Sequence, residues 1–284
     1  MAKKNNLLKQ EYTWTAVVTF FLLIVSLVSL YPLIYLLFYS LKNNDEIFFL
    51  NPFGFPTHLR FENYVKAVNT FDIPLYFRNS IAITGMSIVG ILALSLPFAY
   101  ATARMRWKLR DIASTYMTLG LFIPIQVIMI PLSILVNRLH LANTYFVVVV
   151  PFIAFNLAFS SLILSTSLRS IPYEMEESAF MDGAGPFRCF FSIITPLVKP
   201  AVATVVIFAF LNVWNEYTVS SILITRRTLK TLTIGLASFV GERSTDWGAM
   251  GASLVLASIP TIVIYLIFSE QVEKALTVGG AVKG

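Results

Sequence analysis

The chain has 284 residues, of which 57% are hydrophobic and only 13% are charged, whereas soluble domains carry about twice that charged fraction. A soluble fold could not hide so much apolar surface, so the composition excludes an ordinary water-soluble domain and indicates a protein embedded in lipid. The net charge of +6 does not indicate nucleic-acid binding, because Lys and Arg lie mainly in short segments between apolar runs, as in the loops of a membrane protein.

Six apolar stretches are each long enough to cross the hydrocarbon core of a bilayer, which takes about 20 helical residues. They run over residues 14–40, 79–103, 112–136, 143–168, 199–224 and 248–269. Lipid offers no hydrogen-bond partners for open backbone groups, so all six must be helices. The first stretch is too long for the apolar region of a cleavable signal peptide, and we interpret it as an uncleaved anchor. The sequence thus predicts an all-α, polytopic membrane protein with six transmembrane helices.

Basic residues predict the orientation of these spans. Four of them (Arg104, Arg106, Lys108 and Arg110) form a dense loop after the second span, and such loops stay in the cytoplasm. Basic residues of the 225–247 loop favour the opposite orientation, but the short dense loop carries more weight. The predicted organisation is a cytoplasmic N-terminus (1–13), a first span (14–40), an external loop (41–78), a core (79–269) with a cytoplasmic loop at 170–198, and a cytoplasmic tail (270–284).

The spans lack the groups that ion-coupled carriers use. Apart from Glu216, near the outer end of the fifth span, no Asp, Glu, Lys, Arg or His lies in the interior of a span. No glycine is followed by lysine, which excludes a phosphate-binding loop for ATP. The only cysteine, Cys189, allows no disulfide and no cysteine metal cluster, and we interpret it as apolar filler. The sequence therefore indicates no enzyme, catalytic residue or metal site, and any energy for transport must come from another polypeptide.

The loop between the fourth and fifth spans has the pattern of two short helices at the membrane surface. Ser170 suits an N-cap and Pro172 suits a first helical turn, and acidic residues follow where the helix dipole favours them. Gly183 and Gly185 supply a break, and Pro186 opens a second helix. On these grounds alone, an inert amphipathic element at the interface is the alternative.

This loop resembles the coupling loop of ABC importer permeases. The residues that match the E-A-A…G…I-x-L-P pattern of that family are Glu177-Ser178-Ala179, Gly183 and Ile193-Ile194-Thr195-Pro196, with Ser178 and Thr195 as departures. Stretches elsewhere that resemble the shorter permease of carbohydrate importers of the maltose-permease type include FIPIQVIMIPL (122–132), FLNVWNEY (210–217) and ALTVGGAVKG (275–284). The resemblance implies a type I ABC importer permease fold and the import of a sugar or oligosaccharide.

In that family the loop docks on an ATPase subunit and transmits ATP-driven closure to the spans. Carried onto this chain, the resemblance implies ATPase contacts at Glu177, Ser178, Ala179, Asp182 and Gly183. It implies as partners a second homologous permease subunit, two ATPase subunits that hold ATP and Mg, and an extracellular or periplasmic solute-binding protein. The chain itself would hold no cofactor, and it would lie in a bacterial or archaeal plasma membrane with both termini in the cytoplasm.

Polar residues inside the spans are the candidates for a sugar path. Asn212, Asn215 and Glu216 are spaced i, i+3 and i+4, so a continuous helix would place them on one face. Polar groups that face lipid are costly, so we predict that this face lines a water-filled cavity. Asn156, midway along the fourth span, either hydrogen-bonds another helix or faces the path, and the partner permease would supply further sugar contacts.

Two other functions remain open from the sequence. One is an ABC permease for a non-sugar solute, such as an amino acid or phosphate. The other belongs to a different class, a stand-alone channel or secondary carrier. The lack of charge within the spans argues against a coupled carrier, and the loop at 170–201 would have no purpose in a stand-alone protein. Co-purification with an ATPase subunit would favour the importer, and a functional homo-oligomer would favour the channel.

Overall fold

The computed structural model describes residues 2–237, 239 and 245–281, and it describes side chains over 14–237, 239 and 245–270. Every regular element among these residues is helical, which confirms the all-α prediction. The α-helices are α1 (Ala2–Ser40), α2 (Glu62–Asn69), α3 (Ile73–Ala103), α4 (Arg110–Leu119), α5 (Ile125–Arg138), α6 (Phe146–Arg169), α7 (Glu174–Met181), α8 (Pro186–Arg188), α9 (Thr195–Leu197), α10 (Lys199–Trp214), α11 (Thr218–Leu223), α12 (Leu232–Ala237) and α13 (Trp247–Ala281). Short 3₁₀ or π turns lie at Glu46–Leu50, Gly120–Phe122, Cys189–Ile194 and Arg227–Leu229. The side chains of the predicted tail beyond residue 270 lie outside the described residues.

The described helices contain four to six membrane spans by length and composition. Four of them are continuous, namely Trp14–Ser40, Ile73–Ala103, Phe146–Arg169 and Trp247–Glu270. Two further stretches are bent pairs, Arg110–Phe122 with Ile125–Arg138 at 97° and Pro186–Leu197 with Lys199–Trp214 at 74°. Counting each pair as one span gives the six that were predicted. The predicted third span (112–136) is broken before α5 begins at Ile125, and within the predicted fifth span (199–224) α10 ends at Trp214.

Proline chemistry explains the break in the third span. Ile123 has an extended backbone (φ −90°, ψ 109°), because the ring of Pro124 disfavours helical angles in the residue before it. Pro124 also lacks an N–H group and stands at the N-cap of α5. The 74° bend of the other pair lies at Val198, between α9 and α10, where Pro200 stands in the first turn of α10. At its other end α10 stops at Trp214, before α11 begins.

The chain divides into two compact units, residues 1–71 with 238–256 and residues 72–237 with 257–284. In the larger unit, buried apolar residues of α3, α6 and α10 form a shared core. A methyl group at Gly90 of α3 would clash with Ile153 Cδ1 of α6, so these helices approach closely at a glycine. Small residues matter here because lipid supplies no hydrophobic drive for helix association, and close packing must supply the attraction.

The smaller unit is organised by hydrogen bonds at the C-terminal end of α1. Lys42 is 1% exposed, and its ammonium donates to the backbone oxygens of Asn51 (2.6 Å), Gly54 (2.7 Å) and Pro52 (3.2 Å). The side-chain amide of Asn63 donates to the backbone oxygens of Ser40 (2.8 Å) and Lys42 (2.9 Å). These bonds fix the turn that follows α1 and the loop up to residue 54.

Candidate functional site

The start of the loop after α6 differs from the prediction. Ser170 is the C-cap of α6, and its hydroxyl donates to the backbone oxygen of Ser167 at 2.8 Å. The next helix, α7, begins at Glu174 after Tyr173 and has no side-chain cap. The predicted N-cap at Ser170 is therefore wrong, because α6 continues to Arg169. The last carbonyl groups of a helix lack partners within the helix, so they accept hydrogen bonds from nearby donors such as the Ser170 hydroxyl.

The glycine elbow after α7 is present as predicted. Gly183 has φ +81°, a left-handed conformation that costs glycine little. The backbone N–H of Gly183 donates to Phe180 O (3.0 Å) and that of Ala184 to Ala179 O (2.9 Å), which closes the end of α7. Pro186 then opens α8. The structure thus gives a helix, a tight glycine turn and a second helical segment.

Four of the five predicted ATPase-contact residues are accessible in this chain. Glu177, Ser178, Asp182 and Gly183 are exposed, whereas Ala179 is only 6% exposed and packs in the core with Cys189 and Phe190. The small side chain of Ala179 therefore allows α7 to pack against the core of its own subunit. A partner can reach the other four positions.

Sequence reasoning missed two large apolar side chains of the same loop. Met181 is 88% exposed and Phe187 is 81% exposed, and they flank the glycine elbow on its two sides. Large apolar side chains exposed together commonly mark an interaction surface. The signal was available in the sequence as apolar residues directly beside the proposed docking positions.

Arg104 is a third feature that sequence reasoning did not find, having assigned this residue only to the basic loop. Its side chain is 0% exposed, and its Nε donates to Glu176 Oε1 of α7 at 2.9 Å. The guanidinium also lies 3.8 Å from the ring centroid of Tyr173. Its remaining hydrogen bonds go to the backbone oxygens of Ile171 (2.7 Å), Leu168 (3.3 Å) and Pro172 (3.3 Å).

Asn156 and Asn212, two of the predicted path residues, meet between α6 and α10. The amide of Asn212 donates to Asn156 Oδ1 at 3.2 Å, and the amide of Asn156 donates to the backbone oxygen of Phe152 at 2.8 Å. Asn156 is buried, whereas Asn212 is exposed. Asn156 therefore joins two helices, and Asn212 is the member of the pair that remains accessible.

Asn215 and Glu216 do not share a helix face with Asn212, because α10 ends at Trp214. The side-chain amide of Asn215 donates to Leu211 O at 2.9 Å. The carboxylate of Glu216 caps the start of α11, where it accepts from the backbone N–H groups of Val219 (2.6 Å) and Ser220 (3.1 Å) and from the Ser220 hydroxyl (2.9 Å). The predicted shared face is wrong, and the Glu216 carboxylate already has three donors.

Comparison with known proteins gives the chain a family. Residues 93–278 match the family described as the binding-protein-dependent transport system inner membrane component. The chain belongs to this family. The permease is 31% identical over 260 residues to the diacetylchitobiose uptake system permease protein NgcG of Streptomyces coelicolor, covering 91% of this chain and 86% of that protein. It is 33% identical over 269 residues to the arabinooligosaccharides transport system permease protein AraQ of Bacillus subtilis, covering 94% and 95%.

Solved structures give the same fold. The permease superposes with a TM-score of 0.82 on a chain of a bacterial ABC transporter involved in the import of the acidic polysaccharide alginate, at 24% identity and covering 92% of this chain and 97% of that one. A chain of the MetNI methionine ABC transporter matches with a TM-score of 0.56 at 16% identity, covering 69% and 92%. The predicted type I importer permease fold is confirmed. The protein is a multi-pass membrane subunit of an ABC importer and not an enzyme.

Proposed function

We propose that this permease imports a sugar or oligosaccharide, forms half of the translocation path, and is driven by ATPase subunits docked at the loop from Glu177 to Gly183. The names of its relatives, which refer to diacetylchitobiose and arabinooligosaccharides, support this substrate class. The observation that carries the coupling part is the elbow at Gly183. It exposes acidic and small residues between α7, which packs on the core through Ala179, and the segment that returns to the core at Cys189 and Phe190.

The proposed assembly has one copy each of this permease and a second homologous permease, two ATPase subunits, and an extracellular or periplasmic solute-binding protein. ATP and Mg would bind to the ATPase subunits and not to this chain. The loop and both termini would face the cytoplasm of a bacterial or archaeal cell, as the dense basic loop around Arg106 predicts.

The exposed loop has the chemistry of a docking element. Burial of a side chain such as Met181 or Phe187 in a partner's cleft would contribute about 1.5–3 kcal/mol each. Glu177 would pair with a basic residue at the rim of that cleft, which favours the correct partner more than it adds affinity. Gly183 has no atom within 4 Å of the position of an added methyl group, so this subunit leaves that space free.

Two substitutions test the docking. We expect Glu177→Lys and Gly183→Asp to abolish ATP-dependent uptake of a labelled oligosaccharide in proteoliposomes of the full transporter, while the variant subunit still inserts. Glu177→Lys places like charges against the partner. Gly183→Asp adds a side chain at a left-handed position (φ +81°), so it strains the elbow as well as filling space that this chain leaves open. Uptake is the measurement, together with the amount of ATPase subunit that co-purifies.

Asp111→Lys is the matched control, because Asp111 is an exposed acidic residue outside the loop whose ion pair with Arg110 is exposed. Exposed pairs of this kind contribute about 0–1 kcal/mol, so uptake should stay near the parent value. Normal uptake by both loop variants contradicts the docking. Full uptake by vesicles that contain this chain alone contradicts the importer as a whole.

We further propose that Asn156, Asn212, Asn215 and Glu216 belong to the sugar path, with different tasks. Asn212 and Asn215 are exposed and can contact solute, whereas Asn156 and Glu216 hold neighbouring backbone and side-chain groups in place. The polar groups of the path would exchange hydrogen bonds with sugar hydroxyls during passage.

The pair between α6 and α10 allows these tasks to be separated. We expect Asn212→Ala and Asn156→Ala to lower the melting temperature of the detergent-solubilised transporter by similar, small amounts, because each removes the same interhelical hydrogen bond, which in a membrane protein contributes about 0.6 kcal/mol. If Asn212 contacts the sugar, Asn212→Ala should in addition lower sugar flux several-fold, and Asn156→Ala should lower it less. If Asn212→Ala leaves flux unchanged while ATP hydrolysis is also unchanged, Asn212 does not contact the sugar.

A further inference from the structure

Arg104 joins three elements of the larger unit at one buried guanidinium. It follows directly after α3, it binds the backbone where α6 ends, and it pairs with Glu176 of α7. The hydroxyl of Tyr173 adds a second, longer contact to the end of α3, since it donates to Ala103 O at 3.4 Å. The helix that carries the proposed docking residues is therefore tied directly to the ends of two membrane spans.

The chemistry of this junction suits arginine and no other side chain. A guanidinium presents five N–H donors in a rigid plane, and four hydrogen bonds from Arg104 reach acceptors on α7 and at the end of α6. The last carbonyls of a helix lack partners within the helix and favour a nearby cation. A lysine carries the same charge at a single point and cannot span these acceptors together.

The other basic residues of the same loop are placed differently. Arg106 and Lys108 are exposed, and Arg110 forms an exposed pair with its neighbour Asp111. Buried ion pairs often add little net stability, because taking two charges out of water costs about as much as their attraction returns. A buried pair at this place is therefore better explained by the geometry it imposes than by the stability it adds.

We propose that Arg104 is a positioning residue for energy coupling: through Glu176 and the end of α6 it makes α7 move as one body with α3 and α6. The proposal rests on the proposed docking of α7 to an ATPase subunit. A displacement that ATP imposes on α7 is then passed to the two spans without loss in the loop. With the junction loosened, α7 can follow the ATPase while the spans stay behind.

The test compares Arg104→Lys, Arg104→Gln and Glu176→Gln with Arg110→Gln as the matched control. Each is assembled into the full transporter, and oligosaccharide uptake and ATP hydrolysis are measured in the same proteoliposomes. We expect the ATPase subunits to co-purify and hydrolysis to continue, while sugar moved per ATP falls about tenfold in the Arg104 variants, which is an ordinary size for a coupling effect. Glu176→Gln keeps an acceptor for Nε, so its ratio of sugar moved to ATP hydrolysed should fall less. Arg110→Gln should leave that ratio unchanged.

A distance measurement separates positioning from simple loss of fold. Cys189 is the only cysteine and is buried, so spin labels can be attached selectively at Met175→Cys and Arg106→Cys. The distance between the two labels reports the position of α7 relative to the chain that follows α3. We expect a single narrow distance in the parent and a broadened distribution in Arg104→Lys. A protein that is merely less stable would lose uptake and hydrolysis in proportion.

The outcomes distinguish this proposal from the docking on which it rests. If Arg104→Lys retains the parent ratio of sugar to ATP and the narrow distance, Arg104 does not position α7. If Arg104→Gln fails to fold, Arg104→Lys and Glu176→Gln still decide the question, because both keep polar groups in the buried site. If Glu177→Lys leaves uptake intact, the docking itself is wrong, whatever the Arg104 variants do.

Discussion

Lys42→Met is expected to unfold the loop that follows α1 and to lower the melting temperature of the permease sharply. The side chain of Lys42 is buried, and all three ammonium hydrogens have backbone acceptors, on Asn51, Pro52 and Gly54. Methionine fills a similar volume but donates nothing, so three partly buried carbonyls lose their donor. A fully buried acceptor left without a donor costs about 1–3 kcal/mol, which is the upper limit for each of them. Burial lowers the pKa of Lys42, and the nearby Glu46 carboxylate opposes that shift.

Lys66→Met provides the control for this expectation. Lys66 pairs with Asp246 at 3.0 Å, and both side chains are accessible to water. Exposed ion pairs contribute about 0–1 kcal/mol, so Lys66→Met should lower the melting temperature only slightly. Thermal unfolding in detergent and limited proteolysis of the loop are the measurements. Equal melting temperatures for the two variants would show that the buried ammonium does not organise the loop.

Glu216→Leu is expected to destabilise α11 and to reduce transport with it. The carboxylate accepts three hydrogen bonds at the start of that helix, and hydrogen bonds to a charged group contribute about 1.5–3 kcal/mol each. Leucine removes the acceptors, whereas Glu216→Gln retains one carbonyl oxygen and should lower the melting temperature less. Both variants are compared by melting temperature and by sugar flux in the full transporter.

The control for Glu216 is Asn215→Ala, one residue earlier. The Asn215 amide bonds only to a carbonyl of its own helix among the described contacts, so its loss should leave the melting temperature unchanged. If Glu216→Gln changes sugar flux at an unchanged melting temperature, the carboxylate contacts the sugar directly, and its capping role is secondary.

The membrane spans could be predicted from the sequence because the length of an apolar run is enough to identify them, but their continuity could not. Pro124 stands at a sharp break, whereas other prolines lie inside continuous helices. Those prolines are Pro32, Pro97, Pro131, Pro151 and Pro260. A proline removes one backbone donor in every case, and whether the helix bends or ends depends on neighbours that can accommodate the freed carbonyl.

The coupling loop shows the same division between local and tertiary information. The turn at Gly183 was predictable, because glycine is the usual residue for a left-handed position after a helix. The inward position of Ala179 and the ion pair between Arg104 and Glu176 were not, since both depend on which faces pack together and the paired residues are 72 positions apart. The sequence marked Arg104 as a basic loop residue, and only its burial distinguishes it from Arg106.

The bend between α4 and α5 determines which solvent can surround that part of the bundle. The helical ladder stops between Gly120 and Pro124, and Phe122 is exposed in the isolated subunit. Acyl chains cannot hydrogen-bond the peptide groups that such a break leaves open, so a break inside the hydrocarbon persists only where another protein surface covers it or where water reaches it. With residues 120–124 inside the hydrocarbon, an unassembled copy of the permease would have open backbone groups there, and assembly or hydration would supply their partners.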